Sequence, residues 1–285
     1  MKTTIIALTA VCLAAIGPAA PAARAQDTLL AAPAAGTSDS LAADTAAAGP
    51  QDSLRTVEGW PPGAEILENV DRNLVSDQAT GRSTMIIHGR RSSRTVSSRF
   101  WRQGADSTFV EYVSPAREKG KKMLKLGDKL WTYTPEPTDR IITISGHLLR
   151  QSVMGSDLSY EDMMENHRLN ELYQAEVTGQ DTLDGRSCWV IHLDAVTEDV
   201  AYHSREVWVD QERWLPLREE RFAKSGKLLK TTRITEVFRT GQRWYPRRMV
   251  FKDELASGRG TEYLIDEIEF DVTVPEYLMT KAALR

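Results

Sequence analysis

The chain has 285 residues, a formal net charge of −4, 27% charged residues and two cysteines. That balance excludes a basic nucleic-acid binder, and two cysteines are too few for a disulfide scaffold. With 41% hydrophobic and 7% aromatic residues, one sizeable core is within reach.

The N-terminus reads MKTTIIALTAVCLAAIGPAAPAARAQD. Lys2 supplies a positive n-region, Ile5 to Ile16 an apolar h-region, and Ala23-Arg24-Ala25 a small-x-small cleavage site. The pattern predicts a signal peptide over 1–25, a mature start at Gln26 and an exported, soluble protein. The apolar run is shorter than the roughly 20 residues of a membrane span. Cys12 lies inside that run, a poor position for lipid attachment, and leaves with the peptide. Cys188 then remains alone in SCWVIHL, where it reads as a half-buried, inert thiol. Loss of Lys2 and Arg24 takes the charge from −4 to −6.

Residues 26–58 are rich in Ala, Pro, Ser, Thr, Gly and Asp and contain no aromatic residue. Such a segment cannot bury enough surface to offset its ordering entropy, which predicts a disordered tether. The folded domain is expected over 59–285.

That domain opens with GWPPGAEILENVDRNL. Pro61 and Pro62 suit a helix start, and Ile66, Leu67, Val70 and Leu74 recur at helical spacing. One amphipathic covering helix is predicted. Alternating strand patterns follow from STMIIHG to RIITIS and again from LYQAEVTGQDTL to GTEYLIDEIEFDV. Turns are expected at Gly104-Ala105-Asp106, Gly127-Asp128, Pro135-Glu136-Pro137, Asp184-Gly185 and Ser225-Gly226. Connections this short make neighbouring strands antiparallel. Roughly a dozen meandering strands do not stay flat, so the expected fold is mainly β: a curled antiparallel sheet forming an open half-barrel.

Within the strands, Trp131 with Tyr133, Ile142 with Ile144, and Trp189 with Ile191, Leu193 and Ala195 each share a side. Pattern alone leaves two readings of these stripes, a solid core or the lining of a cavity.

Between the two runs of strands lies HLLRQSVMGSDLSYEDMMENHRL. Leu148, Leu149, Val153 and Met154 lie at helix-compatible spacing, Ser159 is an N-cap candidate, and Asp162 follows three residues on. This predicts two short helical pieces hinged at Met154-Gly155-Ser156-Asp157. Met163 and Met164 add flexible, polarizable side chains suited to repacking around apolar shapes. Residue types leave two readings of the segment, a mobile lid or a fixed plug.

Enzymatic readings find little support. His88, His147, His167, His192 and His203 form no close pair, and no G-x-S-x-G elbow or phosphate loop occurs. Glu161, Asp162, Glu165 and His167 lack a standard metal-ligand spacing and read as a solvated helix face. Catalytic residues, metal ligands and cofactors are therefore expected to be none. The basic run PAREKGKKMLK, with Arg117, Lys119, Lys121, Lys122 and Lys125, reads as a solvated turn around Gly120 in preference to a docking patch.

The stretch KKMLKLGDKLWTYTPEPTDRIITISGHLLRQSVMGSDLSYEDMM, with YPRRMVFKD and FDVTVPEYLMT further on, resembles the LolA-like outer-membrane lipoprotein-sorting protein family. The resemblance covers roughly Ile66 to Leu284. It implies an open antiparallel barrel closed by helices around an apolar, acyl-binding cavity. Trp131, Tyr133, Ile142, Ile144, Leu148, Leu149, Val153, Met154, Met163, Met164, Trp189, Ile191 and Leu193 are the expected lipid-binding residues. The implied function is a monomeric periplasmic carrier that takes acyl chains of lipoproteins or other lipids toward the outer membrane. An inner-membrane transporter would be its donor and an outer-membrane acceptor its target, with no nucleic acid involved. The alternative is a lipid- or lipoprotein-sensing regulatory protein that acts with an inner-membrane partner.

Overall fold

A computed structural model describes residues 59–164, 169–198 and 200–285. The signal peptide and tether expected over 1–58 lie outside the described residues. Helix α1 spans Gly63–Leu74, with Pro62 at its N-cap position, and buries Ile66, Leu67, Val70 and Leu74. The predicted amphipathic helix is thus present, and its stripe lies on β-sheet.

Thirteen strands follow. They are β1 (Gln78–His88), β2 (Ser93–Gln103), β3 (Ser107–Ser114), β4 (Lys122–Leu126), β5 (Lys129–Thr134) and β6 (Arg140–Ile144), then β7 (Tyr173–Leu183), β8 (Arg186–Ala195), β9 (Ser204–Asp210), β10 (Pro216–Phe222), β11 (Leu228–Thr240), β12 (Arg243–Asp253) and β13 (Thr261–Phe270). The predicted turn residues separate them. Asp184 and Gly185 both adopt left-handed φ angles, 50° and 76°, as a two-residue hairpin loop requires.

All thirteen strands form one antiparallel sheet in the order β6-β5-β4-β3-β2-β1-β13-β12-β11-β10-β9-β8-β7. Hairpins account for every neighbour pair except β1 with β13, which brings the ends of the domain together in register from Ala79↔Phe270 to Ile87↔Thr261. Strands β6 and β7 are the sheet's two edges, and they do not pair. One core nevertheless contains both Ile144 of β6 and Tyr173 of β7. The sheet therefore curls into an open half-barrel, as expected, and α1 covers its concave side against β7 and β12.

Gly81 marks a close approach in this wall. A Cβ there would sit 2.3 Å from the Glu267 carbonyl oxygen and 2.5 Å from the Phe100 ring. Gly81→Ala is expected to destabilise the domain by about 2 kcal/mol through overpacking. Thermal denaturation checks this.

Candidate functional site

The register defines the concave face. Cross-strand partners share a side, so Met123 of β4, Val110 of β3, Phe100 of β2 and Met85 of β1 point inward, and so do Tyr263, Met249, Ile234, Val207 and Ile191 from β13, β12, β11, β9 and β8. Residues 146–164, which follow edge β6, and 169–172, which precede edge β7, lie at the open mouth. They form a segment of two 3-10 turns, Gly146–Arg150 and Val153–Gly155, and two short helices, α2 (Tyr160–Met164) and α3 (Leu169–Leu172).

Its reversal falls at the expected hinge, where Met154 (φ 52°) and Gly155 (φ 64°) are both left-handed. Val153 N–H then donates to Leu158 O at 2.7 Å, and Tyr160 N–H to Gln151 O at 3.1 Å. Ser159 caps α2 reciprocally. Its Oγ accepts from Asp162 N–H at 3.2 Å, while Asp162 Oδ2 accepts from Ser159 N–H at 2.6 Å. The turns present Val153, Met154, Leu158, Tyr160 and Met163 to the concave face, where all are buried in the main core.

Polar contacts also hold the segment. Asp162 is 0% exposed. Its carboxylate accepts from Arg221 Nη1 at 3.2 Å, and also from Lys230 Nζ and Tyr202 Oη. Arg221 in turn pairs through Nη2 with Glu219 at 2.8 Å, and Arg205 pairs with the same carboxylate at 2.9 Å. Tyr173 Oη accepts from Arg205 Nη2 at 3.0 Å. Alternating strand positions put these ionic groups on the inner wall. Burial by itself would raise the Asp162 pKa, but Lys230 and Arg221 outweigh it and hold the carboxyl down at about 2. Burial opposes the charge on Glu219 too, and Arg221 with Arg205 holds it below the ordinary carboxylate range.

Two further clamps act at other strands. Lys125 of β4 is buried, and its Nζ lies 3.5 Å and 3.1 Å from the carbonyls of Met163 and Met164. Burial lowers its pKa to about 7, with Asp106 partly opposing. Asp157 accepts from Thr261 Oγ1 at 2.7 Å and from Asp253 N–H at 3.0 Å. A cavity of about 360 Å³ opens beside this margin, with Ser156, Asp157, Ser159, Tyr202, Lys230 and Asp253 among its walls.

The structure divides the expected lipid-binding set. Ile144, Val153, Met154, Met163, Ile191 and Leu193 are buried in the main core, with Leu148, Leu149, Met164 and Trp189 packed against it. Trp189 also meets Trp60 with ring centroids 5.9 Å apart. Ile142 shares the inward side through its pairing with Thr132 but is 37% exposed. Trp131 and Tyr133 lie elsewhere. They pack in a second cluster with Phe109, Leu124, Leu278 and Leu284. Their inward neighbours are Leu130 and Thr132, both buried. Alternation within β5 is correct but does not say which side is concave. The outer side also carries aromatics because the C-terminal turns Glu276–Met279 and Lys281–Leu284 cover it.

The expectation of a solvated acidic face on α2 is corrected. Asp162 is part of the buried ionic cluster, and Asp157 is buried as well. The ionic groups facing them on β9, β10 and β11 come from a separate part of the chain, so local spacing gave no sign of them. An S-x-x-D spacing was the one local signal, and it read as a cap. Glu165 and His167 lie outside the described residues. Among the described residues no cluster of metal-ligating side chains occurs. The basic run likewise departs from the expected solvated turn, since Lys121 and Lys125 are buried. Lys125 points inward, Lys121 pairs with Glu118 at 2.7 Å, and Lys122 donates to Ala283 O at 2.9 Å. Cys188 is more deeply buried than expected and burial raises its thiol to about 11, which keeps it unreactive.

A family model described as "Uncharacterized protein" matches residues 104–285, more than half of the chain, and the chain belongs to that family. No curated protein matches it in sequence. Solved structures match its fold. A DUF1329 family protein from Desulfovibrio piger superposes with a TM-score of 0.72 at 22% identity, covering 78% of this chain and 98% of that one. A domain described as outer membrane lipoprotein-sorting, from Vibrio parahaemolyticus, gives 0.69 at 21% identity, covering 78% and 97%. A LolA superfamily protein from Nitrosomonas europaea gives 0.65 at 21%, covering 79% and 100%. The expected LolA-like fold is therefore present.

Proposed function

We propose that this member of the family is an exported periplasmic carrier that holds acyl chains of lipoproteins or other lipids against its concave face, beneath the 146–172 segment. One observation carries the reading. The mouth between two unpaired strand edges is closed by apolar side chains of a separate segment, including Met154 and Met163, and not by strand pairing. An acyl chain that replaced those side chains would gain about 0.8 kcal/mol per buried methylene. The LolA-like fold supports the same reading. Residues 1–25 would direct export and 26–58 would act as a tether. Trp131 and Tyr133, in the outer cluster, take no part in acyl binding in this proposal.

The test substitutes Met154→Asp and Met163→Asp together in the full exported chain. An unpaired charge in this core is costly, so the segment should swing outward. Binding of a fluorescent fatty acid is expected to fall at least tenfold, about 1.4 kcal/mol, with the β-sheet circular dichroism retained. Outright unfolding would identify a fixed plug, and unchanged binding would remove the segment from the site.

A further inference from the structure

A row of hydroxyl groups crosses β3, β2, β1 and β13 on the concave side of the half-barrel. Tyr112 of β3 pairs in register with Ser98 of β2, and Ser98 with Ser83 of β1. Ser83 and Ser98 share a hydrogen bond of 2.9 Å, and Tyr263 of β13 donates to Ser83 Oγ at 2.8 Å. All four side chains are buried. The three linked hydroxyls hold three protons and make two hydrogen bonds among themselves, so one proton in the Ser83–Ser98 pair is left without an acceptor among the described residues, whichever serine donates. On the neighbouring strand β3, Tyr112 Oη is fully buried and has no hydrogen-bond partner among the described residues. Burial, with the phenols of Tyr160 and Tyr263 nearby, raises the Tyr112 pKa well above its ordinary value, so the group remains a donor.

A buried hydroxyl without a partner costs stability, on the order of 1–3 kcal/mol. Two unspent donors on adjacent strands match a single carbonyl oxygen, which has two lone pairs. The row itself contains no cation, so it suits a neutral carbonyl better than a carboxylate, whose buried charge would need a partner. Tyr160 of α2 is buried in the same core, on the segment that closes the mouth.

Resting on the acyl-carrier reading above, we propose that Tyr112 and the Ser83–Ser98 pair form a subsite for the ester carbonyl of an O-acylated glycerolipid. The carrier thereby distinguishes ester-linked acyl chains from bare hydrocarbon.

The test compares two probes on the full exported chain, a pyrene-labelled diacylglycerol and its diether analogue, which lacks both carbonyls. The wild type is expected to bind the diester about tenfold more tightly, the effect of roughly two hydrogen bonds. Tyr112→Phe should weaken diester binding three- to tenfold and leave diether binding unchanged. Its melting temperature should hold or rise, because the orphan hydroxyl is gone. Ser98→Ala should weaken diester binding in the same selective way. Equal binding of the two probes by the wild type overturns the subsite and leaves the carrier reading standing. Binding of neither probe overturns both.

Discussion

Asp162→Ala should destabilise the protein by about 3–5 kcal/mol, the usual result of removing one partner from a buried ion pair. Arg221 and Lys230 would face each other without the carboxylate between them. The α2 cap would be lost as well, since Asp162 also accepts from Ser159 N–H. For a domain of this size the melting temperature should fall by roughly 6–20 °C. The loss should be local at first. Hydrogen exchange is expected to accelerate over 152–164 before it does so in β1 to β4, because the ionic cluster anchors the segment and not the distant strands. Asp162→Leu combined with Arg221→Met should be less harmful than the two single changes added together, since neither charge is then left alone. A wild-type melting temperature in Asp162→Ala would mean that the cluster does not hold the segment.

The pH dependence of that anchor follows from its sign. The folded-state pKa of Asp162 lies below its ordinary 3.8, at about 2. Its contribution is therefore present above about pH 4 and is lost as pH falls through about 2. At neutral pH the segment stays latched. In a carrier, release would then come from competition by cargo or a partner, not from mild acid.

Asp71→Asn should have the opposite effect, a gain in stability that grows with pH. Asp71 lies on the buried stripe of α1, is 1% exposed, and its Oδ1 has no hydrogen-bond partner among the described residues. Burial, with a smaller push from Glu68, raises its pKa from 3.8 to about 8. Between those values the folded state holds a proton that the unfolded state has released. Wild-type stability therefore falls as pH rises from about 4 to about 8. At about 1.4 kcal/mol per unit the ceiling is about 6 kcal/mol, and local relaxation reduces it. Half of that ceiling corresponds to a gain of roughly 6–12 °C in melting temperature at pH 8.5. At pH 4 the variant and wild type should melt within a degree or two of each other. A pH-independent difference would show that ionisation of Asp71 does not bear on the packing of α1.

The local features of this fold were legible because short-range chemistry decides them. Pro61-Pro62 followed by Ile66, Leu67, Val70 and Leu74 specifies a helix and its buried stripe. Asp184-Gly185 and Gly127-Asp128 specify hairpins, since Asp184, Gly185 and Gly127 stand where left-handed backbone is needed and tolerate it. The break in alternation at 146–172 was visible too, and its apolar residues showed that it must cover something. Strand parity grouped Ile191 with Leu193, and Trp131 with Tyr133, correctly in both cases.

Only the tertiary structure decided which side of each strand is the inside. For Trp131 and Tyr133 the answer is the outside, because the C-terminal turns return to cover them. A strand alternates with period two whichever face is buried, so its own residues cannot identify the concave one. Long-range contact likewise decided the pairing of β1 with β13 and the burial of Asp162. Its partners Arg221 and Lys230 lie 59 and 68 residues away along the chain. Local spacing reports neighbours within a few turns of chain. A charge whose environment is set by distant strands reads as a surface residue until the sheet has curled around it.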